Sequence, residues 1–109
     1  MSRQVFGWDE MDQQKENYRP NVEWKERKET NKDYFEMIID FSGCSRNQLQ
    51  ISMSRELRTI DIMTTKKEGY NIARVNETIP IRPECSLDNV YASFVNNDLI
   101  ITFPKKTNV

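Results

Sequence analysis

Between Tyr34 and Phe41 every second residue is large and apolar: Phe35, Met37, Ile39 and Phe41 alternate with Tyr34, Glu36, Ile38 and Asp40. A two-residue period puts one set of side chains on one face of an extended chain, and a helix sorts side chains differently. The first set is expected to face a core. The pattern then returns along the chain. Val22 and Trp24 alternate with Glu23 and Lys25, Leu49, Ile51 and Met53 alternate with Gln48, Gln50, Ser52 and Ser54, and Ile60 and Ile62 continue the scheme. Each such strand has an apolar face and a wet one, which suits antiparallel sheets covered on one side.

The breaks between these runs carry turn chemistry. Ser42-Gly43 ends the second strand. In Lys66-Lys67-Glu68-Gly69 the glycine supplies the positive φ that a hairpin needs, and a returning strand is expected from about Tyr70 to Ile79. Pro80 and Pro83 cannot donate ladder hydrogen bonds, so residues 80 to 88 form a connecting loop, anchored to the core by Cys85 and Leu87. A last hairpin pairs Asn89 to Val95 with Leu99 to Phe103 across Asn96-Asn97-Asp98, and Pro104 stops it. About seven short strands without an amphipathic helix predict an all-β chain, an immunoglobulin-like sandwich of two antiparallel sheets.

A chain of 109 residues holds one domain and buries roughly 65% of its unfolded surface. The first 19 residues show no sustained period and read as a loose arm. Residues 20–106 form the sandwich and residues 107–109 a tail. Sixteen basic and 17 acidic residues are interleaved, so no global field points to nucleic acid or an anionic membrane. The densest charged run, Lys25 to Lys32, mixes both signs and reads as a solvated turn between strands. No apolar stretch has secretory or membrane-spanning length, and a soluble, cytoplasmic protein is expected.

Cys44 and Cys85 are too far apart for a redox pair or zinc knuckle, and the sequence has no histidine to complete a metal set. Free, buried thiols are expected, with no metal and no cofactor. The triplet Asn76-Glu77-Thr78 fits a glycosylation acceptor but falls inside a strand. No histidine, glycine-rich phosphate loop or nucleophile with a nearby base is present, which argues against an enzyme.

The run from Val90 to Lys106 resembles the signature of the α-crystallin domain of small heat-shock proteins. Ala92, the Asn96-Asn97 turn, Leu99, Ile101, Pro104 and Lys105 carry the likeness. Phe41-Ser42-Gly43-Cys44 looks like that family's Leu-Pro-Gly-Val corner, and Ile79-Pro80 like the Leu-Pro before its last hairpin. Physically, a small Ala92 lets two sheets approach while Leu99, Ile101 and Phe103 fill the space between them.

The resemblance implies an ATP-independent holdase that binds unfolded or partly folded proteins and suppresses their aggregation. It implies a peptide groove between the Leu49 to Met53 strand and the Val90 to Phe94 strand, lined by Leu49, Ile51, Met53, Val90 and Phe94. An extended segment adds there through backbone bonds. It also implies a homodimer or small oligomer. The short connection from Ile62 to Tyr70 disfavours strand exchange through a long loop, which leaves pairing through Tyr70, Ile72 and Arg74, with Arg74 standing in for the family's interface arginine in a shifted register. Nothing after Pro104 forms an Ile-X-Ile tail, so large assemblies plugged by such a tail are not expected. Phe6, Trp8 and Met11 are candidate contacts in the arm. The alternative reading is a CS-domain-like co-chaperone or assembly adaptor with a dedicated protein partner.

Overall fold

The computed structural model describes residues 18–107. It contains seven strands: β1 (Val22–Glu29), β2 (Lys32–Asp40), β3 (Gln50–Ser54), β4 (Thr59–Glu68), β5 (Asn71–Pro80), β6 (Tyr91–Val95) and β7 (Asp98–Pro104). They form two antiparallel sheets, a four-stranded one in the order β1-β2-β7-β6 and a three-stranded one in the order β3-β4-β5. The expected all-β sandwich is what the chain adopts.

Register explains the core. Phe35 pairs with Phe103, Met37 with Ile101 and Ile39 with Leu99 across β2 and β7, so all six point inward together. From the other sheet, Ile60, Ile62 and Ile79 meet them. Met37, Ile39, Ile62, Val75, Cys85 and Phe103 have no exposed surface, and full burial of side chains of this size contributes about 1.5–3 kcal/mol each. On β1, Val22 and Trp24 pair with Ile39 and Met37 and close one side of the core, Trp24 packing 5.6 Å from Phe103 between ring centroids.

The corner after β2 is held by Asp40, whose Oδ1 accepts hydrogen bonds from the Ser42 hydroxyl at 2.6 Å and the Ser42 backbone at 3.0 Å. Those bonds draw the Asp40 carboxyl below the ordinary carboxylate range. Gly43 takes a φ of +76° there, a conformation that only glycine adopts without strain. The loop from Ile81 to Asn89 runs beside the end of β7, with Ser86 bonded to Pro104 at 2.7 Å and Lys106 to Glu84 at 2.8 Å. Cys85 is its buried anchor and Leu87 packs against the core, as expected.

Four expectations need correction. Pro80 does not open the connecting loop but ends β5, paired with Thr59, because a proline is tolerated on an outer strand. The run Lys25 to Lys32 is not a turn. Its first five residues extend β1 to Glu29, the turn is Thr30-Asn31, and Lys32 opens β2. A ladder partner sustains a strand without burial, and a cross-strand pair of Arg27 and Glu36 at 2.9 Å reinforces it. Asp98 belongs to β7 and not to the last turn, which consists of Asn96, at φ +57°, and Asn97. Ala92 does not sit where the sheets press together. It pairs with the buried Ile101 and so lies on the inner face, but β6 is an edge strand and Ala92 is exposed.

Candidate functional site

β3 and β6 are edge strands of different sheets, and their inner faces are only partly covered. On β3 and just before it, Leu49 and Met53 are half-buried against the core, while Ile51 remains 39% exposed although it pairs with the fully buried Ile62. On the opposite edge, Val90 and Phe94 are half-buried and Ala92 between them is open. Phe94 reaches in far enough to pack 5.3 Å from Phe41. Leu49, Met53, Val90 and Phe94 thus pack half-buried against the core on either side of the seam between the two edges, and Ile51 stands exposed beside it. Alternation suits these residues to the core as well as to a groove, and the core claims four of them in part.

Two arginines that the pattern did not single out span this seam. Arg46, before β3, donates to the Asn96 carbonyl after β6, and its guanidinium lies 4.2 Å from the centroid of the Phe94 ring. Arg55, after β3, donates to the Leu87 carbonyl at 2.9 Å and to Asp88 Oδ1 at 3.0 Å, before β6. The two edges thus run in opposite directions and are tied at both ends. Beside the Arg55 end lies a cleft of about 550 Å³ lined by Arg55, Arg58, Leu87, Asp88, Lys105 and Lys106 among others.

Arg58 holds a positive φ of 55° in the turn between β3 and β4. Its side chain donates to the carbonyls of Arg82 and Cys85, both at 2.8 Å, and its own carbonyl accepts from the Ile81 backbone at 2.9 Å. One residue therefore fastens the connecting loop to the β3–β4 turn.

The suggested dimer residues occupy one end of β5 and its hairpin. Tyr70 is fully exposed and Ile72 is 62% exposed, while Gly69 at φ +64° makes the turn. β5 is the outer strand of its sheet. Arg74 is exposed, but its carbonyl already accepts the Tyr18 N–H at 2.7 Å, and Arg19 pairs with Glu77 at 3.3 Å. Phe6, Trp8 and Met11 lie outside the described residues.

Cys44 and Cys85 are free thiols, the first half-buried and the second fully buried. Burial raises both, and Cys85 is pushed up to about 11. Such thiols are poor nucleophiles near neutral pH. Among the described residues no three His, Cys, Asp or Glu side chains converge on a metal-sized site, and no helix is long and apolar enough to cross a membrane. The Asn76-Glu77-Thr78 triplet lies within β5, where it was expected.

This arrangement is the α-crystallin β-sandwich found in small heat-shock proteins. HSP18.5 from E. histolytica superposes with a TM-score of 0.69 at 13% identity, covering 85% of this chain and 93% of that one. The hspA protein of Xanthomonas axonopodis gives 0.62 at 18% identity over 83% and 96% of the two chains. Heat shock protein 16.0 of Schizosaccharomyces pombe gives 0.62 at 15% identity over 84% and 70%. No family model matches the sequence. Curated relatives from Arabidopsis thaliana carry the name "Inactive protein RESTRICTED TEV MOVEMENT 2", with 28% identity over 95 residues and 30% over 97 in two of them. Each alignment covers 86% of this chain, which spans only 25% of the length of those relatives.

Proposed function

We propose that the chain is a non-enzymatic, ATP-independent holdase that captures partly unfolded proteins along the β3–β6 seam. The observation that carries this reading is the partly uncovered apolar inner side of two edge strands linked at both ends by Arg46 and Arg55, with Ile51 and Ala92 exposed on them. An extended segment entering there gains backbone hydrogen bonds from an edge and places alternate side chains against Ile51, Met53 and Phe94. Binding unfolded chains lowers the free concentration that aggregates, with no need for nucleotide. The test is light scattering from a heat- or reductant-destabilised model protein, without nucleotide, at near-equimolar subunit ratio. Suppressed scattering is expected, and unchanged scattering at roughly tenfold excess overturns the holdase reading.

A second reading, an adaptor for one defined protein partner, is favoured by the Arg46 and Arg55 ties. They link the two edges at both ends, an arrangement that suits one repeated ligand better than many irregular ones. In that case scattering is unchanged and one partner is retained stoichiometrically.

The same reading includes a homodimer through the outer β5 edge, with Tyr70 and Ile72 as its apolar contacts. Ile72→Asp is expected to convert a dimer to a monomer in light scattering coupled to size-exclusion chromatography, with little change in thermal stability because Ile72 is exposed. A wild-type chain that elutes as a monomer at ~100 μM removes the dimer from the reading.

A further inference from the structure

The seam is electrostatically lopsided. At the Arg46 end the one cation among the described residues, Arg46, is engaged by the Asn96 carbonyl and the ring of Phe94. At the other end the 550 Å³ cleft is lined by four basic side chains, Arg55, Arg58, Lys105 and Lys106, of which Arg55 pairs with Asp88 and Lys105 with Glu26, leaving Arg58 and Lys106 without a carboxylate partner among the described residues. The cleft is continuous in sequence with both walls of the seam, since Arg55 directly follows β3 and Asn89 directly precedes Val90. In a chain whose formal charge is −1, this concentration of positive charge is local and does not reflect composition.

The basic groups are also positioned. Arg55 is fixed by Leu87 and Asp88, and Arg58 by the carbonyls of Arg82 and Cys85. The Lys105 ammonium stands 3.3 Å from Glu26, with both side chains more than a third exposed. Leu87 and Pro104 supply apolar surface among them. An anionic group entering the cleft meets charges whose geometry is largely set beforehand, which lowers the entropic cost of binding. A cationic or uncharged flank meets repulsion or nothing.

Resting on the reading of the seam as a peptide groove, we propose that it selects extended segments flanked on one side by acidic residues. The apolar residues lie between β3 and β6, and the carboxylates settle in the basic cleft at the Arg55 end. The recognised class is an apolar, alternating segment with aspartate or glutamate beside it.

The experiment uses the full chain and fluorescein-labelled peptides that share an alternating Ile-Thr-Ile-Thr-Ile segment. They differ in one flank, with three aspartates, three asparagines or three lysines, placed in turn at the N- and C-terminal side. Fluorescence anisotropy at low salt is expected to show the aspartate flank, on one side only, binding roughly tenfold more tightly than the asparagine flank, with the lysine flank weakest. A few partly exposed ion pairs account for a difference of that size. The preference is expected to fall towards parity at about 0.5 M salt, where screening is within a few ångströms, and in the Lys105→Gln, Lys106→Gln double variant. A thermal melt checks that this variant remains folded. Equal binding of aspartate- and asparagine-flanked peptides overturns the acidic selectivity and leaves the seam reading standing. Failure of every peptide to bind overturns the seam reading and the selectivity together.

Discussion

Arg58→Ala is expected to destabilise the fold by about 3 kcal/mol, which lowers the melting temperature of a domain this size by roughly 15 °C. The guanidinium makes charge-assisted hydrogen bonds to the carbonyls of Arg82 and Cys85, and removing it leaves the part-buried Cys85 carbonyl without that donor. The backbone strain at φ 55° is common to wild type and Arg58→Ala and does not enter the loss. Arg58→Gly removes that strain as well. It also loses the two bonds but relaxes the turn, so it is expected to be about 1 kcal/mol more stable than Arg58→Ala. Equal melting temperatures for wild type and Arg58→Ala would show that the loop is held by its backbone bonds and by Cys85 and Leu87 packing, without the Arg58 side chain.

Ile51→Asp and Ala92→Asp are expected to abolish capture of unfolded chains while leaving the fold intact. Both positions are exposed on the inner face of edge strands, so a carboxylate there remains hydrated in the free protein and costs at most about 1 kcal/mol. Once a segment fills the seam, the same carboxylate is buried without a partner. That penalty, several kcal/mol, lowers affinity at least a hundredfold. The readout is the dose needed to suppress scattering of a destabilised model protein, with circular dichroism confirming structure. Wild-type potency in both variants places client binding away from the seam.

The sandwich was legible because its core strands obey one rule. In Phe35 to Phe41, an inward side chain at every second position is dictated by pleat geometry, and the structure follows it residue by residue. The same rule located β3 and β7 and paired the last hairpin. It could not say how far β1 extends, because Lys25 to Glu29 gain their order from ladder bonds and cross-strand charges, with no apolar period to read. Nor did it distinguish inward-facing from covered. Ala92 and Ile51 face inward by register and are open because each lies at a sheet edge, a fact of strand order and not of sequence spacing.

The arginines escaped for a further reason. Arg46, Arg55 and Arg58 look like ordinary solvated residues in loops, and their partners lie 50, 32 or 33, and 24 or 27 positions away. Only Arg58 leaves a local trace, a turn residue at positive φ that is neither glycine nor asparagine, and that trace appears in the backbone and not in the amino-acid type.

The bond from the Tyr18 N–H to the Arg74 carbonyl makes the chain's entry into the sandwich a competitor for the proposed β5 dimer. Backbone groups alternate in direction along a strand, so a carbonyl that reaches Tyr18 is one that points away from β4 and towards any copy pairing with β5. Lys66 adds to the grip, its ammonium lying 3.9 Å from the centroid of the Tyr18 ring, and Pro20 behind it is buried. A second copy seated at Arg74 must displace Tyr18, and a firmly seated Tyr18 must weaken the second copy by the same free energy. If the proposed β5 dimer forms, a pull on residues 18 to 20 would shift its monomer–dimer equilibrium by the same linkage.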